Sequence, residues 1–141
     1  MRGNLLTAVD DRIDVHGFVS DLRPLYASAS VVAVPLAVSA GTNIKVLEAM
    51  ACGKAVVSTP VGCAGLGLDD GEQLLIREGA GFAAAICELL ESDARRAHLG
   101  AIARRKAEQR FSWKAIADRA YAGYLDVWTP VAWDEIETTA S

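Results

Sequence analysis

The sequence predicts an α/β fold in which a parallel sheet is flanked by helices and followed by a helical C-terminal region. Three observations predict it. Two short continuous apolar runs, Val31–Val34 and Ala55–Thr59, read as strands covered on both faces, and a helical segment separates them, the order of a parallel βαβ unit. From Gly79 onward the apolar spacing becomes helical only. The 141 residues are 52% hydrophobic and 23% charged with 4 prolines, so a single ordered domain is expected. A domain of this size buries roughly 68% of the surface its unfolded chain exposes and needs neither disulfides nor a structural metal.

The elements follow in order. Ile13–Val19 reads as a first strand ending around Gly17, and Asp21 is placed to cap a helix whose first turn holds Pro24, where a missing N–H costs nothing. The run Val31–Val34 stops at Pro35. After the small-residue loop Ser39-Ala40-Gly41-Thr42, a helix is predicted from about Asn43 to Cys52, stopped by Gly53 and feeding the strand Ala55–Thr59. Pro60–Gly71 reads as a Gly-rich loop and Leu74–Ile76 as a fourth, short strand. Phe82, Ala83, Ile86, Leu89 and Leu90 mark the face of one helix. A second, from about Asp93 to Gln109, is dense in Arg and Ala and is expected to be mostly solvated. In the third, Trp113, Ile116, Ala117, Ala120, Tyr121, Tyr124, Leu125 and Trp128 follow helical spacing and form a stripe suited to clamp something large. Residues 129–141 form a polar, acidic tail expected to fray.

Composition narrows the function. With 14 Lys and Arg against 18 Asp and Glu, the net charge is −4, and no nucleic-acid partner is expected. Cys52, Cys63 and Cys87 are odd in number, lack C-x-x-C spacing and sit among small apolar residues, which reads as reduced, buried thiols in a cytoplasmic protein. The first twenty residues hold Asp10, Asp11, Arg12 and Asp14 with no apolar core segment, so no signal peptide is expected. No apolar run reaches the roughly 18 residues needed to cross a bilayer, which leaves peripheral contact at the inner face of the membrane as the membrane role open to it. His16 and His98 lack ligand spacing, so no metal site is expected, and no nucleophile motif appears. Arg95, Arg96, Arg104, Arg105 and Lys106 read as a solvated charged face, and Asp69, Asp70 and Glu72 as loop solvation.

Ligands of parallel α/β sheets bind where strand C-termini lead into helix N-termini, which directs attention to Pro35 through Glu48. Ser39 to Thr42 offer small side chains and backbone N–H groups ahead of a helix whose N-terminus carries about half a positive charge, a setting for phosphate. Gly41 permits close approach to the backbone, while Thr42 and Asn43 bring hydroxyl and amide donors. Glu48 lies three residues beyond Lys45 on one helical stripe. Its carboxylate can accept two hydrogen bonds from a vicinal diol such as ribose while Lys45 approaches an anion, or the two can form an ordinary surface ion pair.

The run Gly41-Thr42-Asn43-Ile44-Lys45-Val46-Leu47-Glu48-Ala49-Met50-Ala51-Cys52-Gly53-Lys54-Ala55-Val56-Val57-Ser58-Thr59, then Val61-Gly62 and Gly65-Leu66, resembles the donor-binding region of retaining GT-B glycosyltransferases of group 1, family 4. His16-Gly17-Phe18-Val19 before Leu25-Tyr26, Val34-Pro35, Asp70-Gly71-Glu72 before Leu74-Leu75, and Phe111-Ser112-Trp113 follow in the family's order, so the resemblance covers about residues 12 to 128. It implies a Rossmann-like sheet in residues 1–128, a partial nucleotide-sugar-binding domain, and a role in building glycans or polysaccharides. The donor would be a nucleotide-diphosphate sugar, a substrate rather than a resident cofactor, and the acceptor a glycan or a lipid-linked molecule. By resemblance, Glu48 is the second glutamate of the family's pair and binds the ribose hydroxyls. The backbone of Gly41, Thr42, Asn43 and Ile44 faces sugar and diphosphate, with Lys45 in the same run, and Gly17 to Val19 form the turn beside the base.

Two departures stand out. Ala40 occupies the place of the first glutamate of the pair, although some branches of the family carry the G-T-x-x-K run seen here from Gly41 to Lys45. The family's donor domain also begins with earlier βα units, preceded by an N-terminal acceptor domain, so this chain reads as a C-terminal portion whose partner is that missing domain. Strands that expect neighbours from absent units would leave an open edge and an apolar patch, hence an expectation of homo-oligomers. The alternative function is a non-catalytic remnant acting as a binding or oligomerisation module.

Overall fold

The structure, a computed structural model, describes residues 12–38 and 41–128. Its elements are α1 (Arg23–Ser28), β1 (Val31–Val34), α2 (Ile44–Ala51), β2 (Ala55–Ser58), α3 (Pro60–Cys63), β3 (Leu75–Ile76), α4 (Ala80–Leu90), α5 (Asp93–Phe111) and α6 (Trp113–Val127). The strands form one parallel sheet in the order β1-β2-β3, with Val32 opposite Val56 and Val57 opposite Leu75. The predicted α/β class with its helical C-terminal region is what the chain adopts.

Alternation along β2 builds a core on each face of the sheet. Val56 joins Val34, Val46, Met50, Leu74, Ala103 and Ala107 beneath α2 and α5. Ala55 and Val57 join Leu75, Ala85, Leu89 and Leu99 beneath α4. All four residues of β2 are buried, as its apolar run predicts. α2 ends as predicted at Gly53, which takes φ +67°. The Gly53 N–H donates to Met50 O at 2.9 Å and the Lys54 N–H to Ala49 O at 3.0 Å, so the paired bonds of a Schellman cap turn the chain directly into β2.

Several expectations are corrected. Residues 13–19 form no strand among the described residues, and Phe18 is 96% exposed. A β-rich run becomes a strand only when a neighbour takes its backbone hydrogen bonds, and none of the described residues does so here. β1 is not covered on both faces: Val34 is buried and Ala33 exposed, and among the described residues β1 lies at the edge of the sheet. The cap position of α1 is Leu22, while the Asp21 carboxylate accepts from the Arg23 N–H at 3.0 Å one residue earlier. Pro60–Cys63 is a helical turn rather than open loop, because Pro60 pre-sets its first position and the Thr59 hydroxyl accepts from the Gly62 N–H at 3.0 Å. α5 is more than a solvated helix: Leu99, Gly100, Ala103 and Ala107 are buried and let it lie close to α2 and β2. Of the cysteines, only Cys63 is buried, whereas Cys52 is half-buried and Cys87 exposed. The residues 129–141 lie outside the described residues.

The charged side chains also have more specific work than solvation. Arg96 donates to Leu89 O at 2.6 Å and Leu90 O at 2.8 Å, satisfying carbonyls at the end of α4. Asp70 accepts from the Ile76 N–H at 2.8 Å and from Arg77 at 2.6 Å, clasping the turn that precedes β3. Arg77, and then the Ile76 N–H, hold the Asp70 carboxyl below its ordinary value. A depressed carboxyl contributes stability above its unfolded value near pH 4 and loses that contribution as the pH falls through the folded value. Asp70→Asn is therefore expected to cost about 1 kcal/mol at pH 7, with wild type and variant converging as the pH is lowered below about 4, measured by urea denaturation across that range.

α6 buries none of its residues. Trp113, Tyr121, Tyr124 and Trp128 are all more than 60% exposed, so the amphipathic stripe read from the sequence is present but uncovered here. With the outer edge of β1 also open among the described residues, the chain is expected to self-associate, and sedimentation velocity across a concentration series checks this. A monodisperse monomer throughout would contradict it.

Candidate functional site

The candidate site forms where the chain leaves the C-terminal end of β1 and enters α2. The Thr59 hydroxyl donates to Leu36 O at 2.6 Å and the Thr59 N–H to Val34 O at 3.2 Å, which fixes the exit of β1 against the end of β2. Gly41 takes φ +118°, a conformation that L side chains rarely adopt, and remains exposed with open space where a Cβ would stand. Asn43 starts α2, but its amide faces inward: it is 5% exposed, and Nδ2 donates to Val61 O at 3.0 Å. Its side chain thus ties α2 to α3. The Ile44 N–H donates to Thr42 O at 2.9 Å and the Val46 N–H to Asn43 O at 3.1 Å, so these two groups are engaged in the turn itself.

Glu48 is half-buried on α2, and its Oε2 accepts from the Tyr26 hydroxyl at 3.1 Å. The same hydroxyl stands 3.4 Å from Lys45 O. Burial and then the neighbouring carboxylate push the Tyr26 phenol up to about 12, so it remains a donor throughout the physiological range. The alternative ion pair between Glu48 and Lys45 is not formed among the described residues: Lys45 is exposed, and the partner of Glu48 comes from α1. Sequence reading places Tyr26 in the pattern without giving it a role, because a contact across 22 positions leaves no local periodic signal.

Glu48 and Thr42 lie on the wall of a groove of about 590 Å³. Ile44, Leu47 and Ala51 continue that wall along α2, and Phe111, Trp113 and Ile116 face them from the junction of α5 and α6. The groove is mostly apolar, and Thr42, Glu48, Glu108 and Ser112 are the polar residues among those that line it. Of the residues assigned to the site from sequence, the fold brings Thr42, Ile44 and Glu48 onto this wall. Gly17 and Val19 are not part of it: Gly17 is exposed and Val19 half-buried in the extended stretch before α1. The substitution at Ala40, like Ser39, lies outside the described residues.

Among the described residues no helix is long and apolar enough to cross a membrane. A family model described as glycosyl transferases group 1 matches residues 2–92. The chain is similar to the D-inositol 3-phosphate glycosyltransferase of Rhodococcus opacus (strain B4), 36% identical over 106 residues that make up 73% of this chain and 23% of that protein. The enzyme of the same name from Rhodococcus erythropolis is 35% identical over 106 residues, 73% of this chain and 24% of that protein. That of Kineococcus radiotolerans is 36% identical over 116 residues, 74% of this chain and 26% of its own length. The chain thus spans about a quarter of the length of the curated relatives it matches. A parallel sheet carrying this helix-entry loop, with the family match running across α1, β1, α2, β2 and β3, places the chain among the group 1 glycosyl transferases.

Proposed function

We propose that this chain holds the donor of a glycosyl transfer, binding a nucleotide-diphosphate sugar at the entry to α2 and passing the sugar, with retention, to an acceptor bound by another domain. One observation carries the reading: a half-buried carboxylate, Glu48, held by Tyr26 on a groove wall beside the N-terminus of α2. A carboxylate so held accepts hydrogen bonds from both hydroxyls of a ribose. The backbone of Gly41 to Ile44 lies against the sugar and diphosphate, where the helix N-terminus offsets negative charge growing on the departing diphosphate. Lys45 is exposed on the first turn of α2 and adds a positive charge on that side. Transfer of a hexose by the complete protein, with this chain inactive alone, completes the proposal.

The acceptor is a glycan, a lipid-linked molecule or, as the names of the relatives indicate for those proteins, D-inositol 3-phosphate. A non-catalytic binding or oligomerisation module is the less supported reading, because family membership speaks for glycosyl transfer. Calorimetric titration of the chain with UDP, GDP and ADP tests the donor reading. Saturable binding of at least one, displaced by the matching nucleotide sugar, is expected; no binding of any would overturn it.

A further inference from the structure

The Tyr26 hydroxyl and the Glu48 carboxylate come from different elements, and their 3.1 Å hydrogen bond joins α1 to α2; Glu48 lines the groove, whereas Tyr26 reaches it from outside that lining. α1 is itself anchored, since Lys54 Nζ donates to Ala27 O at 2.9 Å from the start of β2. A glutamate on a helix has several staggered side-chain rotamers, and a donor fixed by a separate element selects one of them. A carboxylate offers about four acceptor positions, and Tyr26 occupies one on Oε2. What remains is acceptor-only, and it is matched by a pair of adjacent hydroxyls rather than by a group with a single donor. A ligand lacking those hydroxyls leaves the remaining positions of the held carboxylate without a donor from the ligand, a loss that discriminates between close analogues.

We propose that Tyr26 is the positioning residue for Glu48, its hydroxyl fixing the rotamer in which that carboxylate meets the hydroxyls of the donor. The inference rests on the donor reading given above. A purely structural role for Tyr26, docking α1 onto α2, would make its loss felt equally by every nucleotide.

The test measures the affinities of UDP, GDP and ADP and of their 2′,3′-dideoxy counterparts for wild type, Tyr26→Phe and Glu48→Ala, with thermal melting to confirm that each variant is folded. Tyr26→Phe keeps the ring and its packing and removes only the hydroxyl. It is expected to weaken the ribonucleotide that binds by roughly fivefold while leaving the dideoxy analogue within about twofold. Equal weakening of both analogues, or of neither, overturns the positioning role. Weakening by Glu48→Ala with none by Tyr26→Phe overturns that role and leaves the donor reading standing. Unchanged ribonucleotide affinity in Glu48→Ala, or no binding to wild type, removes the donor reading and this inference with it.

Discussion

Gly100→Ala is expected to destabilise the fold by about 2 kcal/mol or more, although it replaces the poorest ordinary helix former with the best. Gly100 is buried in α5, and a Cβ there would stand 2.0 Å from Gly53 O and 2.8 Å from the Gly53 carbonyl carbon. Those are backbone atoms of the turn that caps α2, so no flexible side chain can swing away and the helix itself must retreat. Retreat is costly because α5 takes part in both cores, through Leu99 on one and through Ala103 and Ala107 on the other. The helix-propensity gain of about 1 kcal/mol is outweighed by overpacking of about 1–3 kcal/mol or more together with loss of contacts on both cores. Gly123→Ala in α6, where a Cβ meets nothing within 4 Å, is the control. There the propensity term acts alone and stability is expected to rise by up to about 1 kcal/mol. Urea denaturation of the three proteins checks both signs, and a neutral or stabilising Gly100→Ala would mean that α5 does not approach the Gly53 turn this closely.

Glu48→Ala is expected to weaken nucleoside diphosphate binding by about 10- to 100-fold, the worth of about one hydrogen bond to a charged acceptor. Glu48→Gln falls between, since an amide keeps one acceptor oxygen but turns a donor toward hydroxyls that must then reorient. Stability should change by less than about 1 kcal/mol in either variant, because Glu48 is half-exposed and gives up only its bond to the Tyr26 hydroxyl. That separation matters: affinity lost together with stability would point to damage in α2, whereas affinity lost alone points to a ligand contact. Calorimetric titration beside denaturation of the same preparations distinguishes them.

The parts of the fold legible in the sequence are those whose signal is local. β2 is a continuous apolar run because it is central and covered on both faces, and α2 shows its stop in Gly53 because the reversal there needs a positive φ. Val31–Val34 has the same composition as a central strand yet lies at an edge, since its exposure depends on which neighbours are present and not on its own residues. Ile13–Val19 fails for the same reason in stronger form. Gly100 carried a faint signal, a glycine within an Ala- and Arg-rich helix, of the kind that marks close backbone approach. The short helix at Pro60 was written in Thr59 and Pro60 but was hidden by the glycines around it.

The candidate site divides along the same line. Glu48 and the loop before it are marked by an ordered series of motifs, whereas periodicity alone favours the ion pair with Lys45. Geometry replaces that pair with Tyr26. It also turns the Asn43 amide inward to Val61, a commitment no spacing rule reveals because it depends on how α3 packs beneath the start of α2.

The central claim is a location: the nucleotide of a sugar donor rests on Glu48 at the entry to α2. A crystal structure of the chain soaked with the nucleoside diphosphate that binds it tests this most directly. The account predicts both ribose hydroxyls within hydrogen-bond distance of the Glu48 carboxylate, Tyr26 still bonded to Oε2, and the diphosphate against the backbone of Gly41 to Ile44. A nucleotide bound elsewhere, or one whose ribose points away from Glu48, would contradict it.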